Sequence, residues 1–313
     1  MIANDDEGIT DEEPLVIVEN GTFVVGGKSE DDSYDGDDEL LKNDESTNLN
    51  QRTFTLSGVN ISLKKSSILA VVGPVGAGKS TLLNALIGDV ASTDNNVKID
   101  KHLSYASQTP LILNTTVRDN MLFGKPYDED LFNEVLRACN LLPDLVQLGP
   151  SRDLTEIGER GVTLSGGQKA RISIARCVYA QPKVALFDDV LSALDASTAK
   201  FIFESLFDSS SGKKSLLSES GVILVTHAAH FLSRVDEILV LSKGESKFIG
   251  TWDELMMVEL NDPDANDVIS SIRSSLQESD EGLEEEANDK ETSTNEQEVN
   301  KTNVDRETIM TGK

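Results

Sequence analysis

The chain is short of cysteine, of aromatic side chains and of positive charge. Its 313 residues include two cysteines, one tryptophan and 28 lysines and arginines, against 55 aspartates and glutamates. Cys139 and Cys177 lie far apart and have no metal-type spacing, which excludes a disulfide framework and a cysteine metal site and leaves free thiols in a reducing compartment as the expectation. The formal net charge of −27 argues against a nucleic-acid partner, because lysine and arginine must neutralise its phosphates. No apolar run approaches the ~20 residues that cross a bilayer. The first residues are acidic and polar, unlike a secretory signal.

The shortage of base is uneven. Residues 1–52 carry 16 acids against 3 bases and residues 261–313 carry 15 against 5, whereas 53–260 hold 24 acids and 20 bases. The chain therefore reads as a near-neutral globular body, 14–260, between an acidic N-terminal tail, 1–13, and an acidic linker or tail, 261–313. Residues 26–52 read as an acidic insertion within the body. Such segments bury too little apolar surface to offset chain entropy, and disorder is expected. Within the tail, Val268, Ile269, Ile272 and Leu276 fall on one helical face, so a short helix is the alternative there.

Residues 15–18 and 22–25 read as two strands meeting at a turn, Asn20-Gly21. Strands are expected near 54–63 and 68–72. Further apolar runs at 184–187, 222–225 and 238–241 suit strands buried on both faces. Between them, residues 128–141 place Leu131, Phe132, Val135, Leu136 and Cys139 on one helix face, which is most simply core packing. Thr251 and Glu254 form a capping box for a short helix carrying Leu255. Strands alternating with helices indicate an α/β fold with a largely parallel sheet.

Directly after one apolar strand come Gly73, Pro74, Val75, Gly76, Ala77, Gly78, Lys79 and Ser80, followed by Thr81 and a helix. This is the pattern G-x-x-x-x-G-K-[ST] in its strand–loop–helix setting. Glycines let the backbone curl so that N–H groups face phosphate oxygens. Lys79 supplies a cation to the β- and γ-phosphates, the Ser80 hydroxyl is a ligand type for Mg²⁺, and the helix N-terminus favours an anion. Asp188 and Asp189 end another buried strand, where ligands of open α/β sheets sit. Asp188 would hold Mg²⁺ through water, and Asp189 would orient or deprotonate an attacking water.

About twenty residues before that strand end stand Leu164, Ser165, Gly166, Gly167 and Gln168, which resemble the signature motif of ATP-binding cassette (ABC) proteins. Gln108 resembles the Q-loop glutamine, Ser192 to Asp195 resemble the D-loop, and His227 resembles the switch histidine that contacts the γ-phosphate. Residues 108–124 and the segment from Thr155 to Gly161 are similar to the first nucleotide-binding domain of C-subfamily (multidrug-resistance-protein-like) transporters. The resemblance implies an α/β P-loop NTPase (RecA-like) core with an N-terminal antiparallel β-subdomain and a helical subdomain, 109–180, carrying the signature. It implies ATP and Mg²⁺ held by Lys79, Ser80, Gln108 and Asp188, with Asp189, Gln108 and His227 as catalytic residues. It also implies a second, head-to-tail nucleotide-binding domain as partner, whose ATP would be closed over by Ser165, Gly166, Gly167 and Gln168. Transmembrane domains of an exporter would hold the assembly at the cytoplasmic face of a membrane.

Two departures from the family pattern stand out. Most members have a glutamate where this chain has Asp189, one methylene shorter, which implies slow turnover at its own site. Val25 stands where the family stacks adenine on an aromatic residue. Phe23, two residues earlier on the same strand face, is the expected substitute. A non-hydrolysing regulatory module and a soluble, non-transport ABC ATPase are the competing expectations.

Overall fold

The computed structural model describes residues 13–26, 53–92, 97–158, 161–208 and 215–275. Most of the acidic N-terminal tail, the insertion beyond residue 26, Glu159, Arg160, Leu276 and the rest of the acidic C-terminal tail lie outside the described residues.

The chain opens with β1 (Val16–Val25), β2 (Phe54–Leu63) and β3 (Ile68–Val72), and then turns into α1 (Lys79–Ile87). Two short strands, β4 (Ala91–Ser92) and β5 (Val97–Ile99), pair antiparallel with β1, and β6 (Leu103–Ala106) follows. Next come β7 (Thr115–Thr116), α2 (Val117–Leu122), α3 (Glu129–Ala138), α4 (Leu142–Gln147) and β8 (Glu156–Ile157). The remainder comprises α5 (Gly166–Tyr179), β9 (Val184–Asp188), α6 (Ala196–Leu206), β10 (Gly221–Val225), β11 (Glu237–Ser242), β12 (Glu245–Gly250) and α7 (Trp252–Met257).

Among the described residues ten of these strands make one mixed sheet in the order β4-β1-β2-β12-β11-β3-β10-β9-β6, with β5 beside β1, and β7 and β8 make a second, two-stranded sheet. The neighbours from β11 through β3, β10 and β9 to β6 are parallel, and β1, β2, β4 and β5 form the antiparallel part. This is the expected α/β architecture. Every residue of β9 and of β10 is buried, so both faces of the sheet are covered there and the strands read as unbroken apolar runs. One apolar cluster joins that sheet to α3, α5 and α6 through Phe132, Ile174, Phe187 and Phe203. Another joins it to α1 and the antiparallel strands through Leu82, Leu86, Val71 and Phe23. The two clusters mark the two faces.

The expected turn at Asn20-Gly21 is not a turn. β1 runs on through it as one strand, and the ladder to β2 slips on either side of Gly21. Asn20 takes the left-handed conformation (φ 48°) and its N–H donates to Asn60 Oδ1 at 2.8 Å. The Asn-Gly pair is thus absorbed as a bulge, which keeps hydrogen bonds to β2 on both sides. A hairpin would have given up half of that ladder.

Residues 263–275 are helical, so the tail departs from the unstructured expectation over that stretch. The described residues up to Val268 and those from Ile269 on fall into two units.

Candidate functional site

The phosphate-type loop occupies the bend between β3 and α1. Gly78 is the N-cap of α1 with φ +107°, and a Cβ there would stand 3.1 Å from the Phe54 ring. A Cβ on Gly73 would meet the Leu241 carbonyl oxygen at 2.2 Å. Both positions therefore require glycine. The Ala77 N–H donates to the Pro74 carbonyl at 3.2 Å, and Ala77 in turn accepts from the Gly244 N–H at 3.2 Å, which pins the loop to the β11–β12 hairpin. No side chain caps α1 and its first turn holds no acid. Its first N–H groups have no partner within the helix and face the side that suits an anion.

Val75, Gly76, Gly78, Lys79, Ser80 and Thr81 line one cleft of about 300 Å³ together with Gln108, Asp188, Asp189 and His227. These side chains come from four separate segments. Gln108 follows β6, Asp188 ends β9, Asp189 begins the next loop and His227 follows β10. Parallel pairing of β9 with both β6 and β10 brings the three strand ends side by side. Gly73, Pro74 and Ala77 form the loop's frame and are not among the residues lining the cleft.

One ammonium and two carboxylates share the cleft. The Lys79 ammonium donates to the carbonyls of Gly73 at 2.7 Å and Pro74 at 3.0 Å. Burial lowers its pKa, while Asp189 and Asp188 act in the opposite direction. Burial pushes the Asp189 carboxyl up, and His227, Ser192 and Lys79 pull it back. Gln108 Nε2 donates to Asp189 Oδ2 at 3.5 Å. The Asp189 backbone is left-handed (φ 49°), a conformation that aspartate tolerates better than most residues. Its N–H is fixed to the Val225 carbonyl at 3.1 Å and its carbonyl accepts from the Ser192 hydroxyl at 2.7 Å. Among the described residues no three His, Cys, Asp or Glu side chains gather as a metal cage. The hard oxygens lining the cleft are the Ser80 and Thr81 hydroxyls, the Gln108 amide oxygen and the carboxylates of Asp188 and Asp189. Such a sparse set fits Mg²⁺, which keeps several waters and binds through one or two carboxylates plus substrate phosphates.

The signature residues are not in this cleft. Ser165 is the N-cap of α5, and its Oγ accepts from the Gln168 N–H at 3.2 Å, while Gln168 Oε1 accepts from the Ser165 N–H at 2.9 Å. The Gln168 amide also donates to Asp144 Oδ1 at 3.0 Å. Its side chain and its backbone N–H are therefore both engaged within the chain. Ser165 and Gly166 are exposed. Gly167 backs onto the Ala193 carbonyl, 3.3 Å from where its Cβ would be, so the loop that begins at Asp189 packs behind the signature.

Three residues at these sites escaped the sequence. Asp144 of α4 is buried, takes a bidentate pair from Arg171 (2.7 to 3.2 Å) and so ties α4 to α5 behind the signature. The Tyr105 hydroxyl donates to Asp188 Oδ2 at 3.3 Å; burial and Asp188 push its pKa up to about 12. Phe54 lines the cleft. Phe23, the expected aromatic, is fully buried in the core, because strand alternation turns it inward onto α1. The expectation that it faces the cleft is corrected. Val25 is 40% exposed at the strand end, directly opposite Phe54 in the β1–β2 ladder.

A P-loop fold with its loop, acidic strand end and capped glycine motif defines a nucleotide-binding domain. The comparisons narrow the class. The family model of the ABC transporter matches residues 56–192. A 211-residue stretch is 43% identical to the probable multidrug resistance-associated protein lethal(2)03659 of Drosophila melanogaster, covering 67% of this chain and 15% of that one. A 202-residue stretch is 44% identical to ATP-binding cassette sub-family C member 2 of Mus musculus, covering 64% and 13%. ABC-type transporter cicA of Emericella nidulans is 44% identical over 202 residues, covering 64% and 14%. The matched region is an ABC transporter ATP-binding domain related to C-subfamily members. The matched part of the chain spans 13–15% of the length of these relatives.

Proposed function

We propose that this domain binds ATP with Mg²⁺ and hydrolyses it slowly at its own loop, while its signature completes a second site on a partner nucleotide-binding domain. The observation that carries this reading is the convergence of Lys79, Ser80, Gln108, Asp188, Asp189 and His227 on one cleft. Bound there, Mg²⁺ would neutralise charge on the phosphates, held by Ser80, Gln108 and Asp188. Lys79 would leave its carbonyl partners for the β- and γ-phosphates, and the N–H groups of Gly76, Gly78, Lys79, Ser80 and Thr81 would fix the phosphate oxygens. Gln108 and Asp189, already paired, would orient the attacking water, and His227 would meet the γ-phosphate. Phe54 takes the adenine-facing place that Phe23 cannot reach and that Val25 fills without a ring. Offset stacking on such a ring adds about 0.5–1.5 kcal/mol beyond burial.

Similarity to C-subfamily transporters supports a partner cassette and exporter transmembrane domains, with the domain at the cytoplasmic face of a membrane. No helix among the described residues is long and apolar enough to cross a membrane, so membrane spans would be supplied by segments outside them. The buried, hydrogen-bonded and short Asp189 favours, as a second reading, a regulatory module that retains ATP without turnover.

Asp189→Glu separates the two. In the assembled pair it is expected to raise the single-turnover rate at this chain's site on the order of 10-fold, a fraction of the ~10²–10⁴ that a positioned base contributes, net of the cost of placing glutamate in a left-handed backbone. An unchanged rate would favour the regulatory module.

A further inference from the structure

The carboxylate at the end of β9 has a partner that the nucleotide chemistry does not require. Asp188 is 4% exposed. Tyr105 lies on the neighbouring strand, paired with Leu186 in the parallel β6–β9 register, and its side chain reaches two residues further to place its hydroxyl 3.3 Å from Asp188 Oδ2. A carboxylate has two oxygens and a free torsion. Fixing one oxygen by a neutral donor sets the direction of the other. Ligand orientation of this kind by an outer hydrogen bond is a general feature of metal sites, where losing it weakens binding.

We infer that Tyr105 is a positioning residue for the divalent cation: its hydroxyl holds Asp188 Oδ2 so that the remaining oxygen faces the cation's coordination shell. The inference rests on the ATP–Mg²⁺ role proposed above for the cleft. Tyr105 touches neither nucleotide nor metal in this scheme. Its half-buried ring packs with the core cluster on the α1 side of the sheet, so phenylalanine keeps the packing and removes only the hydroxyl.

The test is a Mn²⁺ titration of the full chain followed by electron paramagnetic resonance, at saturating non-hydrolysable ATP analogue, for the wild type, Tyr105→Phe and Asp188→Asn. A second titration measures the affinity for the analogue in EDTA. Tyr105→Phe is expected to raise the half-saturating Mn²⁺ concentration about 3- to 10-fold, as befits one long hydrogen bond, and to leave the metal-free nucleotide affinity unchanged. Asp188→Asn sets the scale of complete loss. Coincident Mn²⁺ curves for wild type and Tyr105→Phe would overturn the inference while sparing the site. An equal loss of nucleotide affinity in EDTA would make Tyr105 a packing residue and also overturn it. A wild type without nucleotide-dependent Mn²⁺ binding would remove the site itself, and the inference with it.

Discussion

Two helix N-termini in this domain are suited to phosphate, and they are built in opposite ways. α1 begins at a left-handed glycine with no capping side chain, next to a lysine tied to loop carbonyls and opposite two carboxylates. Its anion site lies in a cleft and brings its own cation. α5 begins with a complete capping box, exposes Ser165 and Gly166, and has its one nearby carboxylate, Asp144, already paired with Arg171. It is a finished helix end turned outward. Under the proposed function the first arrangement would retain a triphosphate alone, with backbone dipoles and a half-buried ammonium acting together. The second offers only the few N–H groups beyond its cap and would, under the same proposal, recognise a phosphate that something else already holds.

The contrast can be broken at either end. The largest effect is expected from Asp144→Ala, which leaves the Arg171 guanidinium without its bidentate partner and frees the Gln168 amide. Removing one member of a buried ion pair costs about 3–5 kcal/mol. With 11–13% of each side chain in water, the lower end of that range is expected in chemical denaturation, and hydrogen exchange should quicken at the start of α5 while α1 stays protected. Equal loosening of both helices would contradict an independent signature brace. A smaller effect is expected from Lys79→Ala, which should weaken ATP binding by roughly 10- to 100-fold, matching the ~1.5–3 kcal/mol of a charged hydrogen bond. Isothermal titration at constant ionic strength checks it, and an unchanged affinity would remove Lys79 from the site.

The same contrast shows what was legible from the residues. The loop, the Ser165 cap and the buried strands were readable because each is local: a fixed spacing, a capping box or an unbroken apolar run. The contacts that complete the sites are not local. Asp144 meets Arg171 across 27 positions and Tyr105 meets Asp188 across 83, so each looks like an ordinary polar residue until the strands and helices are paired. Phe54 was hidden for a related reason. Its cross-strand partner is Val25, and the intervening acidic stretch gives no register. The same rule that puts Phe23 and Val25 on one strand face held, yet that face is covered at Phe23 and open only at the strand end. Asn20-Gly21 misled in the other direction: its local turn chemistry is strong, but the ladder to β2 is stronger.

The most direct test compares nucleotide affinity of the isolated chain in two variants, Lys79→Ala and Gly167→Asp, by titration with a fluorescent ATP analogue in Mg²⁺. Gly167→Asp introduces a negative charge at the exposed helix end and not in the cleft. If the loop holds this chain's nucleotide and the signature serves one held elsewhere, Lys79→Ala loses most of the affinity and Gly167→Asp stays within about twofold of the wild type, a difference under ~0.5 kcal/mol. A loss with Gly167→Asp as large as that with Lys79→Ala would place both helix ends on one nucleotide and contradict the division of labour between them.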